Sequence, residues 1–388
     1  MKEATAETLH KKIAIYLPSL GGGGAERVTV TLANAFVGCG IDVDLVLASA
    51  TGPYLAHVDE GVRVVDLHAS RVLLSGPRLV TYLKNERPAA LLSVLNHANV
   101  IAVASRAIAR VPTRLVVSEH NNLSSAVGGS LGMRARLEVA AMKCTYPWAD
   151  AVVGVSDGVC DDLARSINMV RNRITTVYNP IDAIKIREKS QESVTHPWFQ
   201  PGQPPVIVGV GRLTRQKNFA LLLDTFARVR SMRSDNVRLV IFGEGELRGE
   251  LEAQVEALGL HDSVLLPGFV SNPYAYMRAA ELFVLSSSWE GLPTVLIEAM
   301  ASGVKVVSTD CPSGPAEILE DGKWGGLVPV NDMGGLVQAI NTALDNESPP
   351  SVFSRALDFS VEQSVQDYLR LLHMNPCGFS DSKLQSHR

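Results

Sequence analysis

Two cations, Arg212 and Lys217 in GRLTRQKNF, follow an apolar run and precede a helical pattern. A cation near a helix N-terminus opposes the macrodipole. An anion held between that terminus and the two cations removes the conflict. A diphosphate has the right charge and size, since Arg offers it a fork and Lys a point charge. The alternative is a solvated basic loop. Two glutamates carry a second signal, in SSSWEGLPTVLIEAMASG, residues 286–303. Glu290 sits in a turn with Gly291 and Leu292, and Pro293 opens a helix where proline is well tolerated. The N–H groups between Gly291 and Val295 form an anion site. Glu298 lies further into that helix among Leu296, Ile297, Ala299 and Met300. A carboxylate there needs partners, and sugar or ribose hydroxyls serve. Readings without a ligand are a surface-turn carboxylate for Glu290 and an internal salt bridge for Glu298.

A third signal is the glycine run Gly21–Gly24 in LPSLGGGGAERV, between the apolar KIAIYL and a helical pattern over 25–39. Without side chains the backbone can approach a ligand closely, and the helix start offers unpaired N–H groups to an anion. The GxGxxG fingerprint lacks its third glycine, which argues against a dinucleotide site. A flexible turn or a mobile loop that cradles a substrate remains. His120, in SEHNN, follows an expected strand, where a functional residue can face a cleft; helix capping or core lining is the alternative. Glu119 beside it is a second candidate. The one DxD string, Asp42-Val43-Asp44, lies inside a period-two strand and reads as a solvated strand face rather than a metal site.

These residues need a scaffold that brings strand ends together. Apolar runs at 12–17, 41–48, 62–66, 90–94, 115–118 and 151–155 alternate with helical segments, and the pattern restarts at 206–211, 237–243, 264–269, 281–287 and 304–310. Such alternation implies parallel sheets covered by helices, an α/β class. The least regular stretch, 182–205, has charge runs and prolines and reads as a linker. Two βα domains joined in this way predict ligands at the carboxyl ends of the strands. The chain has 388 residues, 46% of them hydrophobic and 20% charged, which fits a globular protein with substantial cores and argues against disorder. A net charge of −4 gives no signal for nucleic acid. Five cysteines without CxxC spacing suit a reducing compartment better than a disulfide framework or a zinc site. MKEATAETLHKK has no apolar core of a secretory signal, and no window is apolar enough to span a bilayer.

GGGGAERV, GRLTRQKN and EGLPTVLIE, with VYNPID (177–182) and CPSGPAEILEDG (311–322), resemble the retaining nucleotide-sugar glycosyltransferases of the GT-B fold, glycosyltransferase family 4. The resemblance covers about residues 12–373. It implies an acceptor-binding Rossmann-like domain over 1–182, a nucleotide-sugar-binding one over 183–359, and a helix over 360–388, with a tail, that crosses back to the first domain. It further implies that Arg212 and Lys217 hold the donor diphosphate and Glu298 the ribose hydroxyls. Glu290, Gly291, Leu292 and Pro293 would face the transferred sugar. Gly243, Glu244, Gly245, Phe269 and Val270 would border the base and ribose. Gly22, Gly23 and Gly24 would close over phosphates and acceptor, and His120 would contact the donor sugar.

The implied reaction retains anomeric configuration. The cations stabilise the departing diphosphate, so neither metal nor cofactor is expected beyond the sugar nucleotide. AERV, YNPID and CPSGPAEIL look most like bacterial transferases that extend polyprenyl-diphosphate-linked glycans, O-antigen or capsule repeats. A UDP-N-acetylhexosamine donor and a lipid-linked acceptor at the cytoplasmic membrane face follow by analogy. Residues 71–88 combine Leu73, Leu74, Leu79, Val80, Tyr82 and Leu83 with Arg71, Arg78, Lys84 and Arg87. This helix fits an anionic membrane surface as well as an ordinary domain face. Competing classes are a nucleotide-sugar epimerase of the same fold, a non-catalytic sugar-nucleotide binder and a nicotinamide dehydrogenase.

Overall fold

The computed structural model describes residues 12–126, 133–348 and 350–377. They form two α/β units. The first takes in the residues up to Val155, Cys160–Pro180 and those from Val361 on; the second takes in Ser156–Val159 and Ile181–Ser360. Seven strands build the first sheet: β1 (Ile13–Leu17), β2 (Val43–Leu47), β3 (Val62–Asp66), β4 (Ala90–Val94), β5 (Arg114–Glu119), β6 (Ala151–Gly154) and β7 (Ile174–Thr176). Six build the second: β8 (Val206–Val210), β9 (Arg238–Phe242), β10 (Val264–Gly268), β11 (Leu282–Leu285), β12 (Lys305–Asp310) and β13 (Gly326–Pro329). All pairings are parallel, in the orders β3-β2-β1-β4-β5-β6-β7 and β10-β9-β8-β11-β12-β13.

The near-continuous apolar runs reflect this topology, because helices cover both faces and β1, β2 and β4 are buried throughout. The strand order reverses between β1 and β4 in the first sheet and between β8 and β11 in the second. The loops that follow these strands diverge there, and the gap is where open α/β sheets bind ligands. The glycine run follows β1, the Arg212–Lys217 loop follows β8, and the Glu290 turn follows β11.

β7 and β13 lie outside the sequence expectation. β7 has three residues, and β13 (GLVP) carries a glycine and a proline that suit an edge position. The helix Val361–Leu371 packs on the first unit, with Val365, Tyr368 and Leu369 buried in the same cluster as Phe36 and Leu32. Arg114 Nε donates to Leu371 O at 2.5 Å.

Two expectations are corrected. Asp44 is buried rather than solvated: Tyr82 from the covering helix Val72–Glu86 donates its OH to Oδ2 (2.6 Å), and Arg63 forks onto both oxygens (2.8 and 2.5 Å). Asp42 in the same string is exposed. The cysteines do include a disulfide, Cys39–Cys377, with Cα atoms 5.4 Å apart. It joins the end of the helix Gly24–Gly38 to the chain beyond the last helix. Residues 338 apart in sequence carry no spacing signature for such a pair.

Candidate functional site

In the second unit, two loops at the switch point are fastened to each other. Ser288 N–H donates to Gln216 O (2.8 Å), Ser286 Oγ to Lys217 O (2.8 Å), and Gln216 Nε2 to Trp289 O (3.0 Å). These bonds set Lys217 Nζ 2.6 Å from Glu290 Oε1, with the two side chains 16% and 7% exposed. Ser287 Oγ donates to the same oxygen at 2.6 Å, and Thr309 Oγ1 holds Ser287 O at 2.6 Å. The second oxygen, Oε2, accepts a long bond from Gln216 Nε2 (3.3 Å). Glu290 is thus no surface-turn carboxylate. Burial and the Glu290 charge push the neighbouring Cys311 thiol up, which keeps it protonated.

The helix Phe219–Met232 begins after Asn218, a left-handed residue, so Lys217 stands just outside it and Glu290 is its counter-charge. Arg212 is exposed and has no ion-pair partner among the described residues. Glu298 is buried on the helix Thr294–Ser302, whose N-cap is Pro293, and Gly291 and Leu292 are buried before it. The structure therefore brings Lys217 and Glu290 together and leaves Arg212 open to an anion.

Gly243 has φ +137°, and a Cβ there would collide with Gly211 O. The turn after β9 lies directly on the loop after β8, joined by Leu213 N–H to Glu244 O (2.9 Å). Close backbone packing demands the glycines at 243 and 245. The Glu244 carboxylate is exposed and forks with Arg248 (2.7 Å to Nε and to Nη2), which holds its carboxyl below the usual range. Val270 packs on the Val206, Val208, Val240 and Phe242 cluster, whereas Phe269 is 80% exposed.

In the first unit, Gly22 has φ +101° and Gly23 is the N-cap of the helix Gly24–Gly38. A Cβ at Gly23 would collide with the Glu26 carboxylate, so glycine there lets Glu26 fold back over the helix start. β5 delivers Ser118, Glu119 and His120. Alternation puts Ser118 and His120 on one side and Glu119 on the other. Glu119 points into the core, where Asn99 Nδ2 (2.9 Å) and Tyr146 OH donate to Oε1. Burial pushes its carboxyl up to about 7 against those two bonds. Glu119 is therefore a core group, not a sugar contact. Burial also pushes the His120 imidazole down to about 4, so the ring is neutral. One ring nitrogen, Nε2, lies 3.2 Å from Ser118 Oγ, which lies 3.0 Å from Tyr368 OH. The other, Nδ1, is buried with no hydrogen-bond partner among the described residues.

Sequence reasoning missed Gln216, Ser287, Ser118 and Tyr368. Gln216 lies beside Lys217, and Ser287 precedes Glu290 by three residues in the same loop; both spacings were readable. Tyr368 lies 250 residues from its partner, and nothing local points to it.

Two Rossmann-like parallel sheets with ligand-type loops at their switch points make up the GT-B architecture. Among solved structures, Anabaena HepE in complex with UDP-glucose superposes with a TM-score of 0.78 at 20% identity, over 94% of this chain and 100% of that one. Family models agree with the halves: Glycosyltransferase Family 4 matches residues 22–184 and Glycosyl transferases group 1 matches residues 191–357. The N-acetylgalactosamine-N,N'-diacetylbacillosaminyl-diphospho-undecaprenol 4-alpha-N-acetylgalactosaminyltransferase of Campylobacter jejuni is 31% identical over 93% of this chain and 99% of its own length. A second Campylobacter jejuni protein, a GalNAc-alpha-(1->4)-GalNAc-alpha-(1->3)-diNAcBac-PP-undecaprenol alpha-1,4-N-acetyl-D-galactosaminyltransferase, is 27% identical over 93% of this chain and 98% of its own. The chain belongs to glycosyltransferase family 4 and is a glycosyltransferase.

Proposed function

We propose that this chain moves an N-acetylhexosamine from a UDP-sugar onto a hydroxyl of a lipid-linked saccharide during bacterial glycan, O-antigen or capsule synthesis, with retained anomeric configuration and no metal. The observation that carries the donor side is the Lys217–Glu290 pair next to the exposed Arg212 at the switch point of the second sheet. The near full-length similarity to transferases named for undecaprenol-diphosphate-linked substrates supports the acceptor class.

The donor diphosphate draws Arg212 and Lys217 together. As Lys217 Nζ turns to phosphate, Glu290 is released from its counter-charge while Ser287 still holds Oε1, so the carboxylate can accept from sugar hydroxyls. Glu298 takes the ribose hydroxyls. The backbone at Gly291, Leu292 and Pro293 faces the sugar and phosphate, and Gly243, Glu244, Gly245 and Val270 border the nucleoside. Gly22, Gly23 and Gly24 serve phosphates and acceptor, and His120 serves the donor sugar. The bond from the anomeric carbon to the β-phosphate oxygen breaks as the acceptor oxygen bonds to that carbon on the same face. The acceptor proton passes to the departing phosphate. Two cations offset the charge that develops on UDP, which is the role a metal would otherwise fill. No cofactor takes part.

No described helix is long and apolar enough to cross a membrane. On the helix Val72–Glu86, Leu79, Tyr82 and Leu83 serve the core. Leu73 (73% exposed) and Leu74 (58%) point outward beside Arg71 and Arg78, which suits peripheral contact with an anionic cytoplasmic leaflet.

The test is binding of UDP, GDP, ADP, NAD and UDP-N-acetylhexosamines by thermal shift, then transfer to polyprenyl-diphosphate saccharides with and without chelator. UDP-selective stabilisation and chelator-resistant transfer, with the product anomer matching the donor by NMR, are expected. Consumption of UDP-sugar without any acceptor would favour an epimerase. Activity lost to chelator and restored by manganese would overturn the metal-free reading.

A further inference from the structure

Tyr368 belongs to the C-terminal helix, yet its hydroxyl reaches the same serine as His120. The three groups are all buried in the first unit, and each has few partners. Ser118 Oγ is 3.2 Å from His120 Nε2 and 3.0 Å from Tyr368 OH. Tyr368 OH makes no other hydrogen bond among the described residues, and His120 Nδ1 makes none.

Two proton arrangements fit these distances. In one, Tyr368 donates to Ser118 Oγ, and Ser118 donates to His120 Nε2. Every hydroxyl proton is then used, and the ring proton must sit on Nδ1. In the other, Nε2–H donates to Ser118, which donates to Tyr368. The buried phenol proton then has no acceptor, and Nδ1 is an unfilled acceptor as well. A buried donor left unpaired bears its full desolvation cost. A phenol is also the better donor of the two hydroxyls, having the lower pKa. The first arrangement leaves a single unmet group, Nδ1–H, just past the carboxyl end of β5, one strand from the switch point.

We infer that Ser118 and Tyr368 are positioning residues that fix the tautomer of His120, so that its Nδ1–H is held ready to donate to a substrate oxygen. This rests on the reading of His120 as a substrate contact. The neutral ring donates without transferring its proton, so its part is to orient an oxygen and to stabilise partial negative charge on it. The C-terminal helix thereby joins the site chemistry through one hydroxyl.

The experiment uses the full chain labelled with 15N-histidine. Long-range 1H–15N correlations report the His120 tautomer in the ligand-free protein, identified by the signal lost in His120→Asn. An Nδ1–H pattern is expected. Ser118→Ala and Tyr368→Phe should convert it to a mixture and lower kcat about tenfold, the size of one lost hydrogen bond, with donor KM nearly unchanged. Ser118→Thr, which keeps the hydroxyl, should restore both. Thermal midpoints taken alongside separate this outcome from unfolding. An Nε2–H pattern in the wild type, with His120→Ala inactive, would overturn the relay alone. Full turnover in His120→Ala would overturn the substrate contact as well.

Discussion

At the switch point of the second sheet the polar groups are charged and largely paired: Lys217 and Glu290 touch, and Ser287 and Gln216 crowd the same carboxylate, while Arg212 has no ion-pair partner among the described residues. At the matching end of the first sheet they are neutral and incompletely paired: His120 keeps one ring nitrogen unmet, and Glu119 is turned away into the core. An ionic site that satisfies itself can stay well packed without ligand, and it yields to a partner of higher charge. A neutral site with one orphan donor gains a bond only from a group of the right shape. The first arrangement suits a diphosphate and the second a sugar oxygen.

The largest expected effect comes from breaking the ionic side. Lys217→Ala removes the cation proposed to hold the diphosphate and strands Glu290, so kcat/KM should fall by roughly 100- to 1,000-fold. The uncompensated carboxylate should destabilise the second unit by about 3 kcal/mol in chemical denaturation. Turnover near wild type would end the contrast between the two regions.

Next in size is a pH effect in the first unit. Glu119 titrates at about 7 when folded, against the usual 4.5. The unfolded chain therefore releases this proton first, and stability is lost as pH rises from 4.5 to 7, by about 3 kcal/mol. His120 works in the opposite direction: its pKa falls from 6.5 to about 4, so stability is lost as pH drops through that window. Denaturation curves of Glu119→Gln from pH 4 to 8 should lose the alkaline limb and keep the acid one. An unchanged alkaline limb would mean that Glu119 is not the group responsible.

Glu298→Gln should have the smallest effect, a weakening of UDP affinity of about tenfold by calorimetry, the size of one charge-assisted hydrogen bond. Equal affinity in the variant would remove Glu298 from the nucleoside contacts.

The parallel sheets were legible because buried strands are continuous apolar runs. Val62–Asp66 and Ala90–Val94 match the sequence reading residue for residue. β7 and β13 were not legible, since short edge strands carry little apolar signal. The site residues were legible as types at strand ends, but their partners were not. Lys217 and Glu290 are 73 residues apart, and only the adjacency of β8 and β11 joins them. Asp44 misled for the same reason: a polar residue at period two looks solvated until Arg63 and Tyr82 arrive from neighbouring elements. Gly243 was expected to border the base and ribose, and the structure adds a packing demand that the sequence did not reveal: a Cβ there would collide with the carbonyl of Gly211.

The Cys39–Cys377 bond makes the polypeptide a covalent ring that encloses the entire second unit. In chain-entropy terms, closing a loop of this length removes about 5–6 kcal/mol of freedom from the unfolded ensemble. The ring has a further consequence. A single protease cut anywhere between the two cysteines opens the circle without releasing a fragment, so the nicked molecule still migrates as one species until a reductant is added.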